Sequence, residues 1–426
     1  LYDTAFYVSI IIFVAIYIMI IWEKIHRMVI AMTGGIIMLL LGFLSQETAI
    51  KDAIDFNTLG LLIGMMILVT ITRRTGVFEA VAIWAATVTQ GYPLRLLALL
   101  SMITAFASAF LDNVTTVLLI VPVTITLTDK LQVNPVPFLI SEIIASNIGG
   151  TATLIGDPPN IMIGSAVGLS FNAFVNNLAP VSILIAFIMV GIFVLLYRKD
   201  LQVDEENRQN ILKLHYKDEI SDWQLLKKSL AVLAITIAGF GLHGVFHIES
   251  ATIALAGAML LMLISKEEPE EILLSIEWPT IFFFVGLFVL VGGLKATGVI
   301  KALAQWSLNI TQGQVLETSL LILWLSAIAS AFIDNIPFVA TMIPMLQEMG
   351  QISGINLEPV WWSLALGACL GGNGTLIGAS ANVIVAGIAE KNGIPLNFRQ
   401  FFKVAFPFML LSILICHAYI YLRYFS

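Results

Sequence analysis

NIGGTATLIGDPPN, running from Asn147 to Asn160, and CLGGNGTLIGASAN, running from Cys369 to Asn382, decide how this chain is read. They align without a gap. Gly149, Gly150, Thr153, Leu154, Ile155, Gly156 and Asn160 recur 222 residues on, as Gly371, Gly372, Thr375, Leu376, Ile377, Gly378 and Asn382. Both segments lie within long apolar runs, yet glycine, threonine, asparagine and Pro158-Pro159 interrupt the helix there. Open backbone in hydrocarbon costs several kcal/mol per unpaired group, so such a break survives only where protein covers it or a water-filled cavity meets it. Breaks at matching positions of two repeats point to the binding site of a transporter.

Composition sets the class. With 426 residues, 59% of them apolar and only 12% charged, the chain cannot bury its hydrocarbon within a water-soluble globule, where charged residues usually make up about a quarter. The runs Tyr7 to Trp22, Leu96 to Leu111, Val181 to Tyr197, Ala251 to Ile264 and Phe406 to Tyr421 are near or just below the roughly 17–25 residues of a spanning helix. They are apolar on all sides and lack the alternation of a membrane β-barrel. The expected fold is therefore an all-α polytopic bundle of the cell membrane. Asp3 stands where a signal peptide would carry basic residues, and no small-residue cleavage site follows, so the first run reads as a span.

The repeat extends beyond the broken segments. AIDFNTLGLLIG from Ala53 falls on SIEWPTIFFFVG from Ser275, and Thr75-Gly76-Val77 falls on Thr297-Gly298-Val299. Residues 1–197 form the first repeat, 198–228 a polar linker and 229–426 the second repeat. Lys24, Arg27, Arg73 and Arg74 follow the first and third spans and place those loops in the cytoplasm. Their counterparts Phe246, Glu249, Lys295 and Ala296 have lost most of that bias, as two repeats of inverted topology predict. The mixed charges of the linker mark a wet cytoplasmic face, with an amphipathic helix expected over Ile211 to Leu226. A regulatory role for it stays open.

A second duplicated motif is SAFLDNVTTVLLIVP from Ser108 and SAFIDNIPFVATMIP from Ser330. Asp112-Asn113 and Asp334-Asn335 lie at membrane depth, where carboxyls are costly and serve a site, a relay or a partner. Helix capping and ion or proton coupling are both open for them, since Asp is a preferred cap. Glu142 and Asp157 have Leu364 and Ala379 as counterparts and belong to the first repeat alone. Glu142 reads either as a coupling acid or as a hydrogen bond to a neighbouring helix. Asp157 reads as closing the turn ahead of Pro158.

The tips carry amides and hydroxyls: Asn147, Thr151, Thr153 and Asn160 in the first, Asn373, Thr375, Ser380 and Asn382 in the second. These are the candidate substrate ligands, and sodium at the tips or protons are the candidate coupling ions. No Arg or Lys lies in either segment, which suits a neutral hydroxylated solute better than a strongly charged oxyanion. Cys369 and Cys416 make no disulfide framework and read as packing residues, although Cys369 stands where a soft ligand would. His26, His215, His243, His247 and His417 have no metal-ligand spacing, and no nucleophile elbow or phosphate loop is present. Neither an enzyme nor a nucleic-acid partner is expected.

SAFLDNVTT, NIGGTATLIGDPPN, SAFIDNIPF and GACLGGNGTLIGASAN resemble the signatures of the ion transporter superfamily. The likeness is to the branch that groups arsenical pump membrane proteins with the melanosomal P protein, built on a citrate-transporter-like domain. It implies inverted repeats, each with a re-entrant helical hairpin, a homodimer, and elevator-type movement of a domain carrying both tips. Related symporters of divalent anions and sodium place their ligands at such tips, which here implies Asn147, Thr151, Thr153, Asn373 and Thr375. Their Ser-Asn-Thr signature is replaced by Ser146-Asn147-Ile148 and Gly372-Asn373-Gly374, a departure that argues against a dicarboxylate. The expected activity is efflux of arsenite or antimonite driven by protons, with or without a soluble ATPase partner. Sodium/proton antiport is the alternative, followed by an anion pathway of the P-protein type.

Overall fold

The computed structural model describes residues 3–22, 24–246 and 248–426, and the side chains of 243–246 are not described. His247 and the His243 side chain thus lie outside the described residues. The first repeat folds as α1 (Thr4–Trp22), α2 (Arg27–Leu40), α3 (Phe56–Arg73), α4 (Val77–Val88), α5 (Pro93–Ser108), α6 (Asn113–Leu131), α7 (Val136–Thr151), α8 (Pro158–Val167) and α9 (Phe171–Tyr197). After α10 (Glu205–Leu212) in the linker, the second gives α11 (Trp223–Phe246), α12 (Ser250–Ser265), α13 (Trp278–Ala296), α14 (Val299–Thr311), α15 (Val315–Phe332), α16 (Asn335–Ser353), α17 (Glu358–Gly371), α18 (Ser380–Lys391) and α19 (Phe398–Tyr424). Helix for helix the two series match. Both ends of α6 recur 222 residues on as the ends of α16 (113 to 335, 131 to 353). Among the described residues, eight helices are long and apolar enough to cross a membrane and no strand occurs.

Packing between the halves is reciprocal. α2 lies against α13 just as α12 lies against α3, and α6 meets α18 just as α16 meets α8. Such exchange defines a pseudo-two-fold axis, with α7 and α17 meeting across it. Two groups of helices result. α1, α2, α3, α11, α12 and α13 form an outer group, while α5 to α9 and α15 to α19 surround the broken segments.

The hairpins are made by close approach. A Cβ on Gly149 would sit 1.9 Å from the Ala105 carbonyl oxygen of α5, and one on Gly371 would sit 2.5 Å from that of Ala327 on α15. Small residues let these backbones touch, which is how helices pack where lipid supplies no hydrophobic drive. Gly150 with Gly156, and Gly372 with Gly378, bring the two sides of each break together in the same way. Pro158 then restarts the helix at a position whose N–H has no intrahelical acceptor.

The linker departs from expectation. Its helix is Glu205–Leu212, followed by a 3₁₀ turn at Tyr216–Glu219, so no helix covers Ile211 to Leu226. Acidic Glu205 and Glu206 favour a helix N-terminus at that point. Asp222 accepts from the amides of Gln224 and Leu225 and starts α11 instead. The linker is docked as well as wet: Ile211 is fully buried, the Arg208 guanidinium lies 4.3 Å over the Tyr92 ring, and Ser221 N–H donates to the Thr75 carbonyl. Arg208 also pairs with Glu205 at 2.6 Å and holds that carboxyl below its usual range.

Candidate functional site

Breaking two helices at membrane depth frees backbone carbonyls, and the same side chains satisfy them in both repeats. Asn160 Nδ2 donates to the carbonyls of Thr153 at 2.8 Å, Thr151 at 3.1 Å and Gly150 at 3.3 Å. Asn382 Nδ2 donates to those of Gly372 at 2.7 Å and Thr375 at 2.8 Å. Ser108 Oγ reaches the Ser146 carbonyl at 2.7 Å, and Ser330 Oγ reaches that of Ala368 at 2.6 Å. Thr153 and Thr375 donate to the carbonyls of Ala109 and Ala331. Four of the sequence-predicted ligands, Thr153, Asn160, Thr375 and Asn382, therefore fasten the tips with their donor hydrogens. Thr151 Oγ1 bonds back to the Asn147 carbonyl at 2.6 Å.

What remains converges at the axis. Asn113 Nδ2 donates to Asn147 Oδ1 at 3.0 Å, and Asn147 Nδ2 donates across the repeats to Asn373 Oδ1 at 2.9 Å and Asn382 Oδ1 at 3.0 Å. On the opposite side Cys369, the counterpart of Asn147, donates its thiol to Asn160 Oδ1 at 3.5 Å. A thiol accepts hydrogen bonds poorly. Asn335, the counterpart of Asn113, therefore turns to the other repeat and donates to both carboxyl oxygens of Asp157 at 3.3 Å. Every member of this centre is buried, and Asn113, at 3% exposure, is the most exposed of them. Asn373 Nδ2 has no partner among the described residues, nor does any Arg or Lys hydrogen-bond to the centre.

This placement corrects the reading of Asp157. It stands at the N-cap of α8 but makes no side-chain capping bond, and its carboxyl faces Asn335 of the other repeat. Sequence reasoning missed it because the following proline pair is a turn signature. The available signal was its asymmetry, an acid where the second repeat has Ala379.

Asp112 and Asp334 both cap. Asp112 accepts from the Thr115 amide at 2.9 Å and from the Thr115 hydroxyl, and Asp334 accepts from the Ile336 amide at 3.1 Å. Asp334 additionally receives Arg27 and Ser380, so Ser380 is drawn away from the centre. Glu142 lies five residues before Asn147 on α7, about 7.5 Å of helical rise away. Thr124 Oγ1 donates to its Oε1 at 2.6 Å, and Oε2 has no partner among the described residues. In the second repeat Leu346 and Leu364 occupy these two positions. If the pair is structural, Thr124→Leu with Glu142→Leu will copy the second repeat, raise the melting temperature by a few degrees and leave flux unchanged. If Glu142 carries a proton, Glu142→Gln alone will uncouple flux from the pH gradient at unchanged stability. Thermal unfolding and proteoliposome flux on the same preparations separate the two.

Two broken hairpins meeting tip to tip in a buried polar centre, inside a bundle of apolar helices, define a multi-pass membrane transporter. The chain belongs to the citrate transporter family, whose profile matches residues 17–367. It is 42% identical over 423 residues to an uncharacterized transporter of Mycobacterium tuberculosis and to one of Mycobacterium bovis, in each case across 98% of both chains. The P protein of Mus musculus is 36% identical over 488 residues, covering 95% of this chain and 59% of its own length. Among solved structures, the YdaH transporter of Alcanivorax borkumensis superposes with a TM-score of 0.60 over 93% of this chain and 98% of its own. At 14% identity that likeness is one of fold.

Proposed function

We propose that the chain is a secondary active transporter of the cell membrane that expels a small hydroxylated metalloid, arsenite or antimonite, in exchange for protons. The supporting observation is that a thiol, Cys369 bonded to Asn160, and a carboxyl, Asp157 bonded to Asn335, both lie buried at a centre otherwise built of neutral amides. A trivalent metalloid hydroxide is uncharged, so it enters such a site without the desolvation cost of an ion. Its hydroxyls match the Asn147 and Asn373 amides, and its soft central atom matches the thiol. Asp157 is the group that exchanges a proton as the cargo comes and goes. Free citrate, the cargo in the family's description, fits poorly. It would bring three carboxylates beside Asp157 with no guanidinium or ammonium to offset them. The same repulsion opposes an anion pathway of the P-protein type. In this reading the hairpin group moves as one body against the outer group, elevator fashion, within a homodimer.

Sodium/proton antiport is the second reading, favoured by Asp157 and the Asn160 and Asn373 amide oxygens, which are hard ligands for a small cation. Flux into proteoliposomes under an imposed pH gradient, with arsenite and sodium followed in one preparation, discriminates between them. Gradient-dependent arsenite movement is expected. Cys369→Ala is then expected to lower arsenite flux about 10-fold, the factor that 1.4 kcal/mol carries. Sodium movement that ignores both arsenite and Cys369→Ala would reverse the assignment.

A further inference from the structure

Two side chains of the outer group reach across to α16 and α18 beside the second hairpin, whereas on the first-repeat side α3 is tied to α8 through Ser165, which accepts from Asn57 Nδ2 at 3.1 Å and donates to Asp55 Oδ1 at 2.9 Å. Arg27, the first residue of α2, donates from Nη1 to Asp334 Oδ2 at 2.7 Å and to Ser380 Oγ at 2.6 Å. Ser380 Oγ donates to the same carboxyl oxygen at 2.7 Å. Asp334 caps α16 and Ser380 opens α18, so one guanidinium ties the starts of two helices that flank the centre. Ten residues earlier, Tyr17 of α1 donates to the Pro337 carbonyl at 2.5 Å and lies 2.8 Å from Thr341 Oγ1. The Arg27 guanidinium also rests 5.0 Å from the Phe283 ring of α13, which holds it from the outer side. The bridge borders a cavity of about 370 Å³ that His26 and Ile384 help to line, so it is within reach of solvent.

The pseudo-two-fold axis supplies an internal control. Positions 222 residues away from Tyr17, Arg27, Asp334 and Ser380 are Gly239, Glu249, Asp112 and Pro158. Two carboxyls, a glycine and a proline cannot build this bridge. Helices that otherwise match across the axis are thus fastened unequally, by an ion pair and a tyrosine on one side and by the hydroxyl of Ser165 on the other. An unequal tie between two bodies selects one of their relative positions, since an equilibrium shifts only by the difference in interaction between its states.

We propose that Arg27 is a positioning residue of the transport cycle: with Tyr17 beside it, it fastens the second hairpin to the outer helices in this conformation and releases it when the hairpin group moves. The inference rests on the reading of that group as a mobile body, and it holds for either cargo.

The test is an electron-electron distance measurement on the full chain in lipid nanodiscs, with spin labels at Gln46→Cys and Lys391→Cys. Both positions are exposed, one beyond α2 and one at the end of α18, and the native Cys369 and Cys416 are buried away from the label. Arg27→Gln and Asp334→Asn are each expected to add a second distance to the single population of the parent. The double variant is expected to add nothing beyond either, and Arg27→Lys to restore most of the first population. Glu249→Gln is expected to change nothing. Parent-like distances in both Arg27→Gln and Asp334→Asn, in a protein whose distances respond to arsenite or sodium under a pH step, would overturn the latch and leave the moving transporter standing. Distances fixed in every variant and with every ion would overturn both.

Discussion

Asp157→Asn is expected to lower gradient-driven flux by about 100-fold while the folded protein survives. The factor corresponds to about 3 kcal/mol, the upper end for a hydrogen bond to a charged group. The change is isosteric, and the new amide oxygen still accepts from Asn335 Nδ2, which now spans both carboxyl oxygens at 3.3 Å. Only the capacity to bind and release a proton or a cation is lost. Flux and thermal unfolding measured on one preparation check the expectation. Asn is also a favoured turn residue ahead of proline, so a role confined to the turn would leave the variant with wild-type flux. That result would remove Asp157 from the mechanism and leave Glu142 and Asp112, neither with a cationic partner among the described residues, as the remaining candidates.

The duplication, the places where helices break and the polar character of the tips were legible in the sequence because each is a local or periodic property. Glycines mark the approaches of α7 to α5 and of α17 to α15, and the 222-residue register survives the folding of both repeats. The division of labour among the tip residues was not legible. Thr153 and Asn160 look like ligands in the sequence, yet their hydrogens go to carbonyls freed by the break, and only the folded path shows which carbonyls those are. Asp157 meets Asn335 across 178 residues and Arg27 meets Asp334 across 307, distances over which no periodicity carries information. Arg27 passed for a loop cation of the positive-inside kind. The usable trace of both was a mismatch between repeats: an acid facing Ala379 and a base facing Glu249. In a duplicated chain the positions that break the register are where the two halves have taken different tasks.

Gly149→Ala is expected to cost the most stability of any single methyl added at the hairpin glycines. The added Cβ would fall 1.9 Å from the Ala105 carbonyl oxygen, 2.6 Å from its carbon and 2.7 Å from its Cα, all backbone atoms of a packed helix. No rotamer relieves such a contact, so α5 and α7 must separate, at a cost of roughly 3 kcal/mol or more, at or beyond the upper end for overpacking. Separation pulls on the Ser108 to Ser146 bond at 2.7 Å and on the Thr153 to Ala109 bond, which hold the first tip closed a few residues from Asp157. Folded yield by size exclusion should fall sharply, and any surviving protein should melt well below the parent. Gly371→Ala meets Ala327 at 2.5 Å and is expected to be the milder of the two. Ala105→Gly should give no rescue, because the clash is with the carbonyl rather than with the alanine methyl. Rescue by that change would show that the helices approach through their side chains, and a parent-like melting temperature in Gly149→Ala would refute the close approach on which the hairpin geometry depends.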